Sequence, residues 1–227
     1  MNEHAGTHKL IYDISRCELV IFDCDGVIVD SERLSASVDE RVLNSLGWTI
    51  KAPEIARLYL GRSQEEFHSD VSQRLNIPET WHRQFLGWYD EAFRTQLRPV
   101  PGARELVEAL RVPYCIASNS SARSISYKLD ICGLTDLFSS RMFSAEMVGR
   151  PKPAPDIHLA IMDRYSVAPE NCLIIEDSPR GVESAVRAGA RVIALRSELV
   201  DPHALASADH IVDSLDDIQG LLIGGNS

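Results

Sequence analysis

Four short polar groups in the chain carry side chains whose types and spacing could do chemistry. They are Asp23-Cys24-Asp25, Ser118-Asn119, Arg150-Pro151-Lys152-Pro153 and Glu176-Asp177. Carboxylates that lie close together repel each other unless some carry protons or a divalent cation lies among them. Hard oxygen ligands of this kind select Mg²⁺. Mg²⁺ beside a serine hydroxyl, backbone N–H groups and a lysine suits the binding of a phosphoryl group.

The spacing of Asp23 and Asp25 allows the two carboxylates to take different roles. One can act as a nucleophile while the other lies near the leaving oxygen. Alone, the pair could also be turn residues that close a strand, since aspartate favours such positions. The other groups have structural alternatives of the same kind: helix capping, a solvated loop lysine, and acids in the first turn of a helix.

Six short apolar runs are the elements that must position these groups. Continuous apolar runs of this length are typical of strands buried on both faces of a parallel sheet. We therefore predict strands at 19–22, 114–117, 142–143, 172–175, 191–195 and 210–212. Helical patterns lie between them, over 102–111, 121–132, 155–165 and 181–189. This alternation predicts an α/β fold with a Rossmann-like parallel sheet and right-handed crossovers.

The predicted sheet also says where the polar groups should meet. In open α/β sheets, ligands bind beyond the carboxyl ends of the strands. Three of the four groups directly follow a predicted strand, and the Lys152 group lies between the third and fourth strands. We therefore expect all four groups to converge at one edge of the sheet.

The stretch from about residue 32 to residue 97 shows only helical periodicity. Apolar residues recur there at helical spacing in three sets: Leu34, Val38, Val42 and Leu46; Phe67, Val71 and Leu75; and Trp81, Phe85, Trp88 or Tyr89, and Ala92. We predict an all-helical cap domain over residues 32–98, inserted into a catalytic core formed by residues 18–31 and 99–227. Residues 1–17 are predicted to be a polar, mobile leader.

Composition limits the partners of the protein. Asp and Glu total 33 and Lys and Arg total 23, and the resulting net charge of −10 argues against a dedicated nucleic-acid binder. The five cysteines include no C-x-x-C pair, which argues against a disulfide framework or a zinc site and favours a reducing compartment. No apolar run is long enough to span a membrane. We expect a cytoplasmic protein with no membrane partner, and a monomer is the working assumption.

The four groups, in this order, resemble the motifs of the haloacid dehalogenase-like superfamily of aspartate-nucleophile phosphatases. The helical stretch after the first motif is similar to the subgroup with an α-helical cap, which contains sugar-phosphate phosphatases and β-phosphoglucomutases. The resemblance extends from Glu18 to about Ile218. It implies an enzyme that uses Mg²⁺ as its cofactor and acts on a small phosphorylated metabolite.

The resemblance also implies a role for each matching residue in the first three groups. Asp23 is similar to the nucleophile and metal ligand of the family. Asp25 is similar to the general acid/base, whose backbone carbonyl also binds the metal. Ser118 and the N–H of Asn119 would hold phosphate oxygens, and Lys152 would neutralise the phosphate.

The fourth group and one loop of the helical stretch complete the implied site. Asp177 would bind Mg²⁺, and Glu176 would be either a metal ligand or a neighbour of the ligands. The segment Gly61-Arg62-Ser63 resembles the cap loop that contacts substrate, so Arg62 is a candidate substrate-binding residue. The structural alternative is a plain loop in which Ser63 caps the next helix.

Three other functions compete with a phosphatase. A β-phosphoglucomutase-type phosphosugar mutase is the main alternative, but such mutases carry a cap histidine ten residues after the second aspartate, where this chain has Ser35. Dehalogenases of the superfamily lack the second aspartate and need no metal, so Asp25 argues against them. A non-catalytic binding protein would not need four intact motifs. The leading hypothesis is a Mg²⁺-dependent phosphatase that hydrolyses a sugar phosphate through an aspartyl-phosphate intermediate.

Overall fold

A parallel sheet of six strands organises the protein. The structure is a computed structural model that describes residues 16–224. Its strands are β1 (Leu19–Phe22), β2 (Tyr114–Ser118), β3 (Met142–Ser144), β4 (Cys172–Glu176), β5 (Arg191–Leu195) and β6 (His210–Val212). The strand order is β3-β2-β1-β4-β5-β6, and every neighbouring pair is parallel. The α/β fold with a Rossmann-like parallel sheet, predicted from the sequence, is confirmed.

Helices connect the strands and cover both faces of the sheet. Before β2 they are α1 (Glu32–Ser45), α2 (Ala52–Tyr59), α3 (Gln64–Leu75), α4 (Leu86–Gln96) and α5 (Ala103–Ala109). After β2 they are α6 (Ala122–Ile131), α7 (Thr135–Phe138), α8 (Asp156–Tyr165), α9 (Pro179–Arg187) and α10 (Leu215–Gly224). The chain adds β2 and β3 on one side of β1 and then crosses to add β4 on the other side, so the strand order reverses between β1 and β4. Ligands bind at such a point in open α/β sheets.

Alternate residues of the strands face two separate apolar cores. In β1, Val20 and Phe22 pack into the core that includes Leu129 of α6, whereas Leu19 and Ile21 pack into the core on the opposite face. Side chains alternate across a strand with a period of two, so a strand buried on both faces must be apolar at every position. This requirement explains why the strands were recognisable in the sequence as continuous apolar runs.

Strands β2, β3 and β4 each run one residue further than the sequence pattern indicates, and two of the added residues belong to the predicted site. Ser118 is the last residue of β2 and pairs with Ser144, and Glu176 is the last residue of β4 and pairs with Ala194. The sheet ladder continues under these polar residues because backbone hydrogen bonding does not depend on side-chain polarity. Both side chains are therefore fixed by strand geometry rather than by a loop.

Helices α1 to α4 form a helical insertion between β1 and α5. The hydroxyl of Tyr89 in α4 donates a hydrogen bond to Asp39 in α1, and the indole N–H of Trp81 donates to the carbonyl of His68 at 3.0 Å. The prediction of one α-helical period from Trp81 to Ala92 is wrong up to Phe85, because the segment Glu79–Phe85 is a 3₁₀ helix. The segment follows Pro78, and short 3₁₀ turns are frequent at the N-termini of α-helices. The predicted domain boundaries stay predictions.

Residues 1–15 of the predicted leader and residues 225–227 of the predicted core lie outside the described residues, while Cys17 is buried. Within residues 16–224, no helix has both the length and the apolar character needed to cross a membrane.

Truncation of Leu129 tests the core described above. This leucine of α6 is 1% exposed, and Leu129→Ala removes buried methyl groups, so the free energy of unfolding should fall by about 2–5 kcal/mol. Leu159→Ala in α8 is the matched control because Leu159 is 45% exposed, and its effect should stay within about 0.5 kcal/mol. Urea denaturation followed by circular dichroism measures both, and equal losses would contradict the assigned packing.

Candidate active site

Asp23 lies at the carboxyl end of β1 with both carboxylate oxygens engaged. Its backbone N–H donates to the carbonyl of Ile175 at 2.9 Å, which ties the residue to the neighbouring strand β4. Its Oδ2 accepts the backbone N–H of Asp25 at 2.8 Å, and its Oδ1 accepts from Nζ of Lys152 at 2.6 Å. Burial raises the pKa of Asp23 to about 7, although the charge of Lys152 opposes the rise. The carboxylate is thus fixed in one orientation.

Lys152 carries a buried ammonium between two strand ends. The residue is 3% exposed, and Nζ donates to Asp23, to Glu176 and to the carbonyl of Ala117 at 2.7 Å. Burial by itself would lower the pKa of Lys152, but the charges of Asp23 and Glu176 raise it above its ordinary value. The lysine is therefore a permanent cation at the base of the site.

Asp177 is a buried acid whose Oδ2 lacks a hydrogen-bond partner among the described residues. Donor oxygens of Asp23, Glu176 and Asp177 all lie within 4.8 Å of one another. A Cβ at Gly26 would come within 1.9 Å of Asp177 Oδ2, so only glycine leaves this space open. Burial, followed by the charge of Asp23, raises the pKa of Asp177 well above its ordinary value. Three hard oxygen donors, one of them orphaned, fit a Mg²⁺ ion.

Asp25 is held by a different set of partners. Ser31 and Lys128 both donate to its Oδ1, and Ser120 donates to its Oδ2 at 2.9 Å. Burial by itself would raise the pKa of Asp25, but the charge of Lys128 and these hydrogen bonds lower it below its ordinary value. The two aspartates of one motif therefore have opposite electrostatic surroundings, which suits different roles.

Lys128 is one candidate functional residue that the sequence analysis missed. It lies in α6, is 5% exposed, and also donates to Ser120 Oγ at 3.1 Å. Its position three residues after Ile125 and one before Leu129 puts a charge on the predicted apolar face of the helix. A lysine on a buried helix face needs a partner of opposite charge, so this position in the sequence could have indicated a buried ion pair.

Ser118 and Asn119 lie beside the two aspartates. The hydroxyl of Ser118 is 3.4 Å from Asp25 Oδ2 and accepts the backbone N–H of Ser120 at 2.9 Å. The side chain of Asn119 accepts the backbone N–H of Lys152 at 2.8 Å and donates to the carbonyl of Gly61 at 3.0 Å. Asn119 thereby joins the loop of the buried lysine to the helical insertion.

Arg180 forms a second connection between the same parts. Its guanidinium donates to the carbonyl of Lys152 at 2.8 and 3.1 Å and to the carboxylate of Glu66 at 3.1 and 3.2 Å. Glu66 belongs to α3, and its backbone N–H donates to Ser63 Oγ at 3.2 Å. Ser63 therefore caps α3, which confirms the structural alternative for that residue.

A cavity of about 320 Å³ lies between the sheet edge and the helical insertion. Its lining includes Asp23, Asp25, Ser118, Asn119, Lys128, Lys152 and Asp177 from the sheet side. From the helical insertion it includes Glu32, Ser35, Asp39, Arg62, His68 and Tyr89. Glu176 is buried behind the cavity, against Lys152. The sequence analysis named Arg62 and Ser35 on the insertion side but missed Glu32, Asp39 and Tyr89.

The arrangement combines a fixed carboxylate, a buried cation and a second carboxylate with a lowered pKa at one end of the cavity. Such a set can attack an electrophilic centre, neutralise charge that develops on it, and transfer a proton to or from an adjacent oxygen. The two lysines offset part of the negative charge of the acids at this edge.

Comparisons with known proteins agree with this geometry. A family model described as haloacid dehalogenase-like hydrolase matches residues 20–195. A probable pseudouridine-5'-phosphatase of Drosophila melanogaster is 30% identical, with 93% of this chain and 94% of that protein covered. A phosphorylated carbohydrates phosphatase of Thermotoga maritima is also 30% identical, with 84% of this chain and 91% of that protein covered.

A solved structure gives the same result for the fold. A haloacid dehalogenase-like protein of unknown function from Agrobacterium tumefaciens superposes with a TM-score of 0.79 at 29% identity, with 93% of this chain and 100% of that chain covered. The family model spans most of the chain, and the sheet and its polar edge are those the family resemblance implied. The chain therefore belongs to the haloacid dehalogenase-like hydrolase family.

Proposed function

We propose that this protein is a Mg²⁺-dependent phosphatase that hydrolyses a small phosphomonoester, a sugar phosphate, through an aspartyl-phosphate at Asp23. One observation carries the proposal. The Asp23 carboxylate is fixed between a buried ammonium and a backbone N–H, within 4.8 Å of acids that could hold a cation. A carboxylate held in one orientation beside a cation suits attack on phosphorus.

In the first step, an Asp23 oxygen attacks phosphorus and the ester oxygen leaves. Lys152 neutralises charge on the phosphoryl oxygens, and the hydroxyl of Ser118 and the N–H of Asn119 bind them. Asp25 must first take up a proton, since Lys128 and its hydrogen bonds lower its pKa, and it then gives that proton to the leaving oxygen. Mg²⁺, held by Asp23, Asp177 and the carbonyl of Asp25, would offset the negative charge that gathers between acid and phosphate.

In the second step, Asp25 takes a proton from water, which attacks the aspartyl-phosphate and releases inorganic phosphate. The surroundings of Asp25 support the base role because Lys128 and Ser31 favour its ionised form. Glu176 accepts a hydrogen bond from the ammonium of Lys152 and so keeps that ammonium directed at Asp23. We therefore assign Glu176 a role in positioning Lys152 rather than in binding the metal.

The nature of the ester follows from the size of the cavity and from the relatives. A cavity of about 320 Å³ holds a metabolite rather than a polymer. The Thermotoga maritima relative is named for phosphorylated carbohydrates and the Drosophila melanogaster relative for a nucleoside phosphate. These names support a small phosphorylated metabolite as the partner. The helical insertion would act as the cap that reads the leaving group, with Arg62 among its contacts.

A phosphosugar mutase is the alternative, and the surroundings of Asp25 count against it. A mutase must hold back water until a sugar hydroxyl is in place, and a histidine gives charge-dependent control near neutral pH. The side chains that donate to Asp25 among residues 16–224 are Ser31, Ser118, Ser120 and Lys128. Serine at position 35 supplies no titrating group, so water is the expected acceptor.

Replacement of the proposed nucleophile is the direct test of the function. Asp23→Asn keeps the size of the side chain but removes the covalent step, so kcat for p-nitrophenyl phosphate should fall by about three orders of magnitude or more. Asp163→Asn, at an exposed position of α8, is the matched control and should retain full activity. More than about 10% residual kcat in a folded Asp23→Asn protein would contradict the nucleophile assignment.

Stabilisation by Mg²⁺ should depend on pH. Without metal, the pKa of Asp23 is raised to about 7 and that of Asp177 is raised well above its ordinary value. The folded protein therefore keeps protons on these carboxyls at pH values where the unfolded chain, with ordinary pKa values near 4, has released them. The contribution of these groups to stability is therefore present at low pH and is lost as pH rises through about 7. Mg²⁺ binds the ionised carboxylates, so it should stabilise the protein more at pH 8 than at pH 5.

Thermal unfolding with and without Mg²⁺ at the two pH values measures this difference. At about 100 times Kd, binding should add about 2.7 kcal/mol to the free energy of unfolding at pH 8. The Asp177→Asn variant should lose most of the Mg²⁺ response. An equal response at both pH values, or a full response in the variant, would show that these acids do not hold the ion.

A double-mutant cycle tests the pairing of Lys128 with Asp25. Lys128→Met leaves Asp25 as a buried charge without its cation, so the free energy of unfolding should fall by about 3–5 kcal/mol. In the Asp25→Asn background the same substitution should cost less by at least about 1 kcal/mol, since the charge is already gone. Urea denaturation of the four proteins measures the coupling, and identical costs in both backgrounds would rule the pair out.

A further inference from the structure

One face of α9 binds the loop that carries Lys152. Three successive carbonyls of this loop each accept a hydrogen bond from a side chain of the helix. The donors stand at spacings of four and three along α9, which puts them on the same face. The three bonds are Arg180 to Lys152 at 2.8 Å, Ser184 to Ala154 at 2.7 Å and Arg187 to Pro153 at 3.3 Å.

Ser184 is the buried member of these three donors. It is 0% exposed, whereas the side chains of Arg180 and Arg187 are 27% and 54% exposed. Each arginine also pairs with a glutamate, Arg180 with Glu66 and Arg187 with Glu183. Water can replace an exposed donor but cannot reach a buried one, so the bond from Ser184 is the contact of the loop that solvent can least replace.

His158 of α8 completes this buried contact. The residue is 0% exposed, and its Nδ1 lies 3.1 Å from Ser184 Oγ. The carbonyl of Ala154 can only accept a hydrogen bond, so the hydroxyl of Ser184 uses its proton on that carbonyl. Nδ1 of His158 must then be the donor to Ser184 Oγ, which assigns the imidazole proton to Nδ1 and leaves Nε2 as an acceptor.

The imidazole of His158 is neutral near pH 7. Burial, followed by the charge of Lys152, lowers the pKa of His158 well below its ordinary value. Its Nε2 has no hydrogen-bond partner among the described residues. A buried acceptor without a donor is costly, and an apolar side chain would avoid that cost. What the histidine adds is the bond from Nδ1 to Ser184, which leucine could not make.

We propose that His158 is a positioning residue for the ammonium of Lys152, acting through Ser184 and the carbonyl of Ala154. The proposal rests on the phosphatase function proposed above. The N–H of His158 fixes the orientation of the Ser184 hydroxyl, and that hydroxyl holds the loop two residues from Lys152. A displacement of about 1 Å at a reacting group can cost about 100-fold in rate, so a small shift of this loop should be measurable in kcat.

Two substitutions of His158 test the contact. His158→Leu is apolar and lacks the donor, so kcat for p-nitrophenyl phosphate with Mg²⁺ should fall about tenfold in the folded protein. His158→Asn places an amide N–H near the position of Nδ1, so it should retain more than about half of kcat. His203→Leu makes the leucine substitution at an exposed position and should retain full activity.

Ser184→Ala shows whether the two residues act as one unit. It removes the hydroxyl on which His158 acts, so it should also lower kcat about tenfold. His158→Leu in the Ser184→Ala background should then add less than about twofold, whereas independent effects would give a loss of about 100-fold in the double variant. Circular dichroism and thermal unfolding establish that each protein is folded before its kinetics are compared.

Nitrogen NMR of the wild-type protein tests the position of the proton without any variant. The proposal requires a neutral imidazole at His158 with its proton on Nδ1 at pH 7. A proton on Nε2 would overturn it, whether or not the variants fold.

The possible kinetic results separate the positioning role from the function. Wild-type turnover that depends on Asp23, with kcat unchanged in folded His158→Leu or Ser184→Ala protein, overturns the positioning role while the phosphatase function stands. Additive losses in the double variant, or equal losses in His158→Leu and His158→Asn, also overturn it. Absence of Asp23-dependent turnover in the wild-type protein overturns the proposed function and the positioning role together.

Discussion

The buried ammonium of Lys152 is the interaction on which the rest of the site depends. It is bonded to Asp23, Glu176 and the carbonyl of Ala117, so one cation joins the ends of β1, β4 and β2. Without it, the acids at this edge would face one another in a dry environment, where unpaired charges are costly. The lysine therefore offsets negative charge at the point where the polar groups gather, and it places a cation where we propose that phosphate binds.

A second lysine, Lys128, gives the two aspartates different electrostatic surroundings. Lys152 contacts Asp23, but burial still raises the pKa of that carboxyl. Lys128 contacts Asp25, and its charge lowers the pKa of Asp25. The two carboxyls are two residues apart in sequence, but they point at different cations held by different elements. Their opposite electrostatic surroundings suit the nucleophile and proton-transfer roles that we propose for the two residues.

Hydrogen bonds connect the helical insertion to the sheet edge through the loop that carries Lys152. The carbonyl of Lys152 accepts from Asn119 and Arg180, and these two residues in turn contact Gly61 and Glu66 of the insertion. The lining of the cavity and the orientation of the loop that carries Lys152 are thereby linked by hydrogen bonds. A change in the position of the insertion would therefore alter the contacts of the loop that carries Lys152.

The sequence by itself determined the parallel sheet and the gathering of four polar groups at its edge, because strands buried on both faces must be continuous apolar runs and parallel strands end on the same side. It also determined the helical nature of most of residues 32–97, through apolar spacing. Only the tertiary structure decided that Lys128 pairs with Asp25, 103 residues away, and that Asp39 faces the cavity. Helical periodicity tells which residues share a face, but the partner of that face depends on how distant elements pack.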